Sequence, residues 1–257
     1  TQLTQADGAQ ENFSLDATQQ LTYPDGSVRF VDDVVLTVPE QANREHFTGT
    51  GTEESSDEAQ TSLVVSGDVV LTVADGMVVR TGSAMYESGA GQIIMQRDSA
   101  STSLSRAGLE ASGRNVVYER NAKAVTLTEA ARVRLTGDDT RASVDISAHR
   151  AILAQAERYM HFEGGTAIDM DLMAIGADSA TMHLGADETS LESLELVQDT
   201  IVQSTDPASG LRQMAARETT LVFDGSRSLE QTTLTGDATV ELKGKSGGPG
   251  SRIGASS

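Results

Sequence analysis

The residues of this 257-residue chain best equipped to ligate metals or move protons are four histidines and 38 acidic side chains. The histidines stand at positions 46, 149, 161 and 183. No two of them are four residues apart, and no Glu lies between a close pair, so their spacing forms no zinc motif. His183 is expected on the outward face of a strand. Asp169 and Asp171 would share one face of a strand and could form paired carboxylates of the glycosidase kind. The same spacing marks the solvated face of a half-buried strand, which is the reading favoured. The run Glu53-Glu54-Ser55-Ser56-Asp57-Glu58 lacks the ligand spacing and central Gly of an EF-hand and reads as a solvated loop. Gly49-Thr50-Gly51 begins like a dinucleotide loop, but it lacks the later Gly and sits beside an acidic run instead of before a helix. No Gly-x-Ser-x-Gly elbow occurs. With no Cys there is no disulfide framework and no thiolate nucleophile or ligand. The chain is therefore expected not to be an enzyme, and to hold no metal and no cofactor.

The elements that must position side chains follow from the apolar pattern, which has period two. Val69, Leu71 and Val73 alternate with Asp68, Val70 and Thr72. Ile168, Met170 and Leu172 alternate with Asp169 and Asp171, and Ala180, Met182 and Leu184 alternate with Thr181 and His183. Such segments are half-buried strands. Turn chemistry lies between the strands, at Pro24-Asp25-Gly26, Ala74-Asp75-Gly76, Ser88-Gly89-Ala90-Gly91, Gly137-Asp138-Asp139 and Asp224-Gly225. Ala151, Ile152 and Ala156 come near helical spacing over 148–160, but no capping residue followed by Glu or Gln opens that segment, so strand is expected there too.

A repeat runs through these strands. A small or polar residue, then two positions, then a small or β-branched residue, then an apolar one two later recurs five times. The copies are Thr81-x-x-Ala84-x-Tyr86, Gly113-x-x-Val116-x-Tyr118, Ala148-x-x-Ala151-x-Leu153, Ala177-x-x-Ala180-x-Met182 and Ala216-x-x-Thr219-x-Leu221. Each continues through a turn into further apolar stretches, and a weaker copy spans Asp16 to Val38 with Tyr23 near the place of Tyr86 and Tyr118. Repeated strand-turn-strand units of this kind add strands to one continuous stack. The pattern predicts a single all-β domain over 1–243, with an acidic connecting loop near 41–62. Residues 244–257 (GKSGGPGSRIGASS) read as a flexible tail or linker.

The net charge of −19 argues against nucleic acid, whose phosphates need a basic footprint, and against docking on an anionic membrane face by charge. Residues 1–61 hold 12 acidic and 2 basic side chains, so the excess is concentrated at the front. Aromatics are 4% with no Trp, which disfavours stacking on sugars.

The stretch Ser66 to Leu135 resembles the OstA-like lipopolysaccharide-transport family, LptC type. The resemblance rests on Gly67-Asp68-Val69, then Asp75-Gly76, then Thr81 with Ala84 and Tyr86, then Gly108 and Gly113 with Tyr118, and an apolar strand ending in Val133-x-Leu135. It implies an open, twisted β-jelly roll in the periplasm whose apolar groove holds the acyl chains of lipopolysaccharide on their way from the inner to the outer membrane. It also implies partner transport proteins joined end to end by strand addition, and a link to the inner membrane through an N-terminal anchor ahead of Thr1. Lipid-groove candidates are the inward members of the alternating strands: Val69, Leu71, Val73, Val79, Tyr86, Val116, Tyr118, Leu127, Leu135, Met182, Leu184, Leu221 and Phe223. Ordinary core packing is the competing reading of each. The alternative for the whole chain is a β-helical or adhesin-like extracellular structural protein.

Overall fold

The computed structural model of the chain describes all residues except 8–9, 25–26, 41–44, 57–61, 97–100, 138–142, 189, 225–227, 245–249 and 256–257. The turn signals at Asp25-Gly26, Asp138-Asp139 and Gly225, and the acids Asp57 and Glu58, lie outside the described residues. No helix occurs among the described residues, including the 148–160 segment. The architecture is all-β and in keeping with an open β-jelly roll. Contacts divide the chain into two compact units, Thr1–Thr128 and Glu129–Ser257, within the span that sequence patterning treats as one domain.

The first unit contains β1 (Gln2–Asp7), β2 (Gln10–Asp16), β3 (Gln19–Thr22), β4 (Val28–Val38), β5 (Phe47–Ser56), β6 (Ser62–Val73), β7 (Val78–Glu87), β8 (Gln92–Gln96), β9 (Thr102–Arg106) and β10 (Leu109–Glu119). A further strand, β11 (Ala124–Leu135), crosses the boundary. Neighbours pair antiparallel in chain order from β4 to β7. Short strands complete the sheet: β2 and β3 both flank β4, while β8 and β9 both lie between β7 and β10. The tight β6–β7 turn is closed by Gly76 at φ 85° and by Asp75 Oδ1 accepting from the Met77 amide at 3.0 Å, as the Asp-Gly signal predicts.

The second unit repeats the scheme with β12 (Val144–Ala148), β13 (Arg150–Ala154), β14 (Tyr159–Met170), β15 (Met173–Leu184), β16 (Leu191–Ser204), β17 (Leu211–Phe223), β18 (Leu229–Thr235), β19 (Ala238–Leu242) and β20 (Ser251–Ala255). Here β12 and β13 both flank β14, β14 to β17 pair in chain order, and β18 and β19 both flank β17. All these pairings are antiparallel. That removes the β-helical alternative, whose coils stack strands in parallel.

The sequence repeat is the imprint of a bend made by the long strands β4 to β7 and β14 to β17. Asp32-Asp33, Gly67-Asp68, Gly164-Gly165 and Gln198-Asp199 all have positive φ, and each pair interrupts the register of its strand. Each faces one residue on the next strand: Thr52, Gly82, Asp178 and Arg217 respectively. Two residues opposite one make a β-bulge, which bends the strand and raises its twist. Asp, Asn and Gly tolerate the left-handed backbone this requires. On the bulged strands buried residues skip four positions, as from Val65 to Val69; on their partners they skip three, as from Thr81 to Ala84. The two skips keep one face turned inward on both sides of the bend, so the x-x of the repeat is a corner and not a turn. Gly67 and Gly164 are fixed by this geometry. A Cβ on Gly67 would land on Thr52 Oγ1, and one on Gly164 would lie 2.7 Å from His149 Cβ.

Two expectations change. The acidic segment near 41–62 is not simply a connecting loop, because Phe47–Ser56 forms β5 between β4 and β6; β-sheet pairing on both edges overrides its acidity. Within the tail at 244–257, Ser251–Ala255 is a strand paired to β19, since its backbone groups find a sheet edge.

Candidate functional site: the inner apolar face

Corner bulges decide which side chains meet inside each unit. In the first unit Leu71 stands between Gly49 and Val79 across three strands, and Val69 lies beside Thr81. Farther along, one cross-strand row joins Leu63, Tyr86, Ile93 and Tyr118. In the second unit a row runs Met160, Met182, Leu194, Leu221, and Leu184 faces Leu191. Leu135 pairs with Val144. Every groove candidate is therefore on an inner face: Val69, Leu71, Val73, Val79, Tyr86, Val116, Tyr118 and Leu127 in the first unit, and Leu135, Met182, Leu184, Leu221 and Phe223 in the second. Their side chains are only 0–7% exposed, so in this structure these faces are closed and close-packed. The Cβ of a residue replacing Gly49 would lie 2.8 Å from Leu71 Cδ2, which shows how little room remains there.

One end of the first unit's inner face carries polar chemistry that sequence reasoning missed. Arg120, just beyond β10, is fully buried. Its guanidinium donates to Tyr86 Oη at 3.0 Å, to the Pro39 carbonyl at 3.3 Å and, through Nε, to the Glu45 carbonyl at 3.0 Å. It also lies 5.2 Å from the Phe47 ring centroid and 5.6 Å from that of Tyr86, while those two rings meet edge to face. Tyr118 donates to Glu45 Oε2 at 3.1 Å, and Lys123 Nζ lies 2.5 Å from Oε1 of the same carboxylate. Burial first, and then the Glu45 carboxylate, push the Tyr118 hydroxyl well above its ordinary range. The hydrogen bond to Glu45 likewise holds the Lys123 ammonium charged above its usual range. This network ties Pro39 and Glu45, which precede β5, to the C-terminal end of β10. Tyr86 and Tyr118 thus share a role, whereas Tyr23 is 40% exposed beside β3 and does not.

A second polar feature lies deeper. The first inner row beyond the corner reads Phe30, Glu54, Val65, Ala84, Met95 and Val116 across β4 to β10. All are buried, and Glu54 is 1% exposed. Neither of its carboxyl oxygens has a hydrogen-bond partner among the described residues. Burial alone pushes its carboxyl up to about 7. The matching row of the second unit, Ala151, Phe162, Ala180, Leu196 and Thr219, contains no acid, and Thr219 is bonded to Thr200 at 2.6 Å.

The remaining candidates are dispersed. His161 bonds Thr181 at 2.9 Å and Glu163 at 3.2 Å, and His183 lies 3.5 Å from Glu195. His149 is the residue opposite the Gly164-Gly165 bulge, and His46 enters β5. No group of three or more His, Cys, Asp or Glu among the described residues could hold a metal ion. Asp169 is exposed on β14 opposite Asp145, while Asp171 falls in the β14–β15 turn at φ 37°. The two do not share a strand face, because the strand ends at Met170. Chemically, then, the described residues offer apolar inner faces, a buried polar network around Arg120 and the unpartnered carboxyl of Glu54. No protein-family model matches the chain, and no curated protein matches it.

Proposed function

We propose that the chain is a non-catalytic lipid-binding module that carries lipopolysaccharide by its acyl chains during export from the inner to the outer membrane, with the periplasm as its compartment. The observation that carries this reading is the inner face: antiparallel strands of one sheet that bend at a regular corner and turn Val, Leu and Met inward in each unit, joined in the first by Tyr86 and Tyr118. Each methylene moved from water onto such a face contributes about 0.8 kcal/mol, so acyl chains need no specific polar anchor. Because the face is closed in this structure, loading requires parts of a unit to separate. The charge of −19 repels a phosphorylated headgroup, which leaves the sugar outside or bridged by cations while the chains enter.

Strand addition is the way this module joins its neighbours. Among the described residues β20 pairs only with β19, every residue of it is exposed, and Ile253 is 60% exposed. A strand with one free edge of this kind is a template for another chain. An adhesin-like structural role would use the same edge but not the inner face. Lipid extraction of the purified protein, read by mass spectrometry, separates the two: the carrier retains acylated glycolipid, and a chain that neither retains nor takes up any amphiphile overturns the reading.

A further inference from the structure

Glu54 occupies a slot that the rest of the molecule keeps apolar or hydroxylic. Counting from the corner, Gly51-x-x-Glu54 on β5 repeats Thr81-x-x-Ala84 on β7, Ala148-x-x-Ala151, Ala177-x-x-Ala180 on β15 and Ala216-x-x-Thr219 on β17. The first residue and the fourth face inward in these copies, except that Gly51 is half-buried. A carboxyl in that slot meets Phe30 on β4 and Val65 on β6. The charged groups nearby on the three strands point elsewhere. Arg29 of β4 and Glu53 of β5 pair with each other at 2.5 Å, partly exposed. Asp32 and Asp33 of β4 and Asp68 of β6 are exposed at the corner. Arg120 is held by Tyr86 and by the Pro39 and Glu45 carbonyls. Nothing described supplies a counter-charge or a donor to Glu54.

We infer that Glu54 is a protonation switch for the inner face of the first unit: the neutral carboxyl lets β4, β5 and β6 pack shut, and its ionisation opens that segment and exposes the face. The reason is desolvation. A neutral carboxylic acid costs little more than other polar groups to bury, whereas an unpartnered carboxylate in an apolar row is expensive. Release of the proton is therefore coupled to hydration of the row, and hydration requires β5 to part from the packing around it. The inference goes beyond the lipid reading, since it concerns access to the face whatever enters.

The test is amide hydrogen exchange of the full chain, read peptide by peptide between pH 6 and pH 8 and corrected for intrinsic exchange. With the carboxyl moving from 4.5 when open to about 7 when closed, linkage predicts that opening of β4–β6 rises ~10-fold over this interval, while β14–β17 changes little. Uptake of the uncharged dye Nile red should rise in parallel. Glu54→Ala, which installs the residue found at 84, 151 and 180, should stay closed and flat with pH; Glu54→Gln should do the same. A wild-type β4–β6 segment whose exchange does not change with pH overturns the inference. So does a pH response that survives in Glu54→Ala.

Discussion

At the scale of single residues, the contrast between Arg120 and Glu54 shows how differently two buried ionisable groups are treated. Arg120 has acceptors on several sides and two aromatic rings beside it, so its charge is compensated where it sits. Glu54 has no polar or charged partner among the described residues, and its burial must weaken the fold wherever it ionises. The folded state keeps the Glu54 proton up to about 7, whereas the unfolded chain releases it near 4.5. The folded form thus binds more protons across that window. Stability conferred on the first unit is full below about pH 4.5, falls as pH rises to about 7, and then levels off, a loss of about 3 kcal/mol. Denaturant unfolding of Glu54→Ala should accordingly show a gain over wild type at pH 8 that shrinks as the pH is lowered toward 5. A gain independent of pH would mean that packing, not charge, sets the difference.

At the scale of elements, the corner bulges carry the architecture. They are also where sequence and structure can be compared in physical terms. The repeat at 81–86, 113–118, 148–153, 177–182 and 216–221 was legible because a corner leaves a fixed skip in the buried positions, and small residues are needed where strands bend. The inward direction of Val69, Leu71, Val73 and their counterparts followed from alternation alone. Glu54 was not legible: composition reads four acids in six residues as solvated, and only the pairing of β5 on both edges turns one of them inward. Nor was Arg120, whose partners lie far away in sequence at Pro39, Glu45 and Tyr86. The strand at 251–255 was hidden by Gly and Ser, which say little about whether a free edge lies nearby. Gly164 and Gly165 have nearly the same φ, 82° and 79°, but a Cβ meets His149 only at Gly164. Gly165→Ala should cost about 1 kcal/mol of backbone strain, and Gly164→Ala clearly more, as measured by thermal unfolding of the second unit. Equal losses would mean that strain alone matters and that the approach to His149 does not.

At the scale of the whole molecule, charge and apolar surface divide the work. A net charge of −19 keeps the outside hydrated and repels anionic groups, so any affinity for an anionic glycolipid has to come from its chains. On the proposed reading, the exposed strand β20 offers the edge that a neighbour would join. Salt separates the contributions. Raising ionic strength from about 0.01 M to 0.15 M shortens the screening length from about 30 Å to about 8 Å, and binding through chains against a repulsive charge should strengthen. Weakening with salt would point to attractive contacts with the headgroup.

The most direct measurement of the central claim is displacement of a fluorescent fatty acyl probe from the intact chain by lipopolysaccharide, compared with the same lipopolysaccharide stripped of its acyl chains. The account predicts saturable probe binding that the acylated glycolipid displaces and the deacylated sugar does not. Absence of probe binding, or equal displacement by the two, would contradict it.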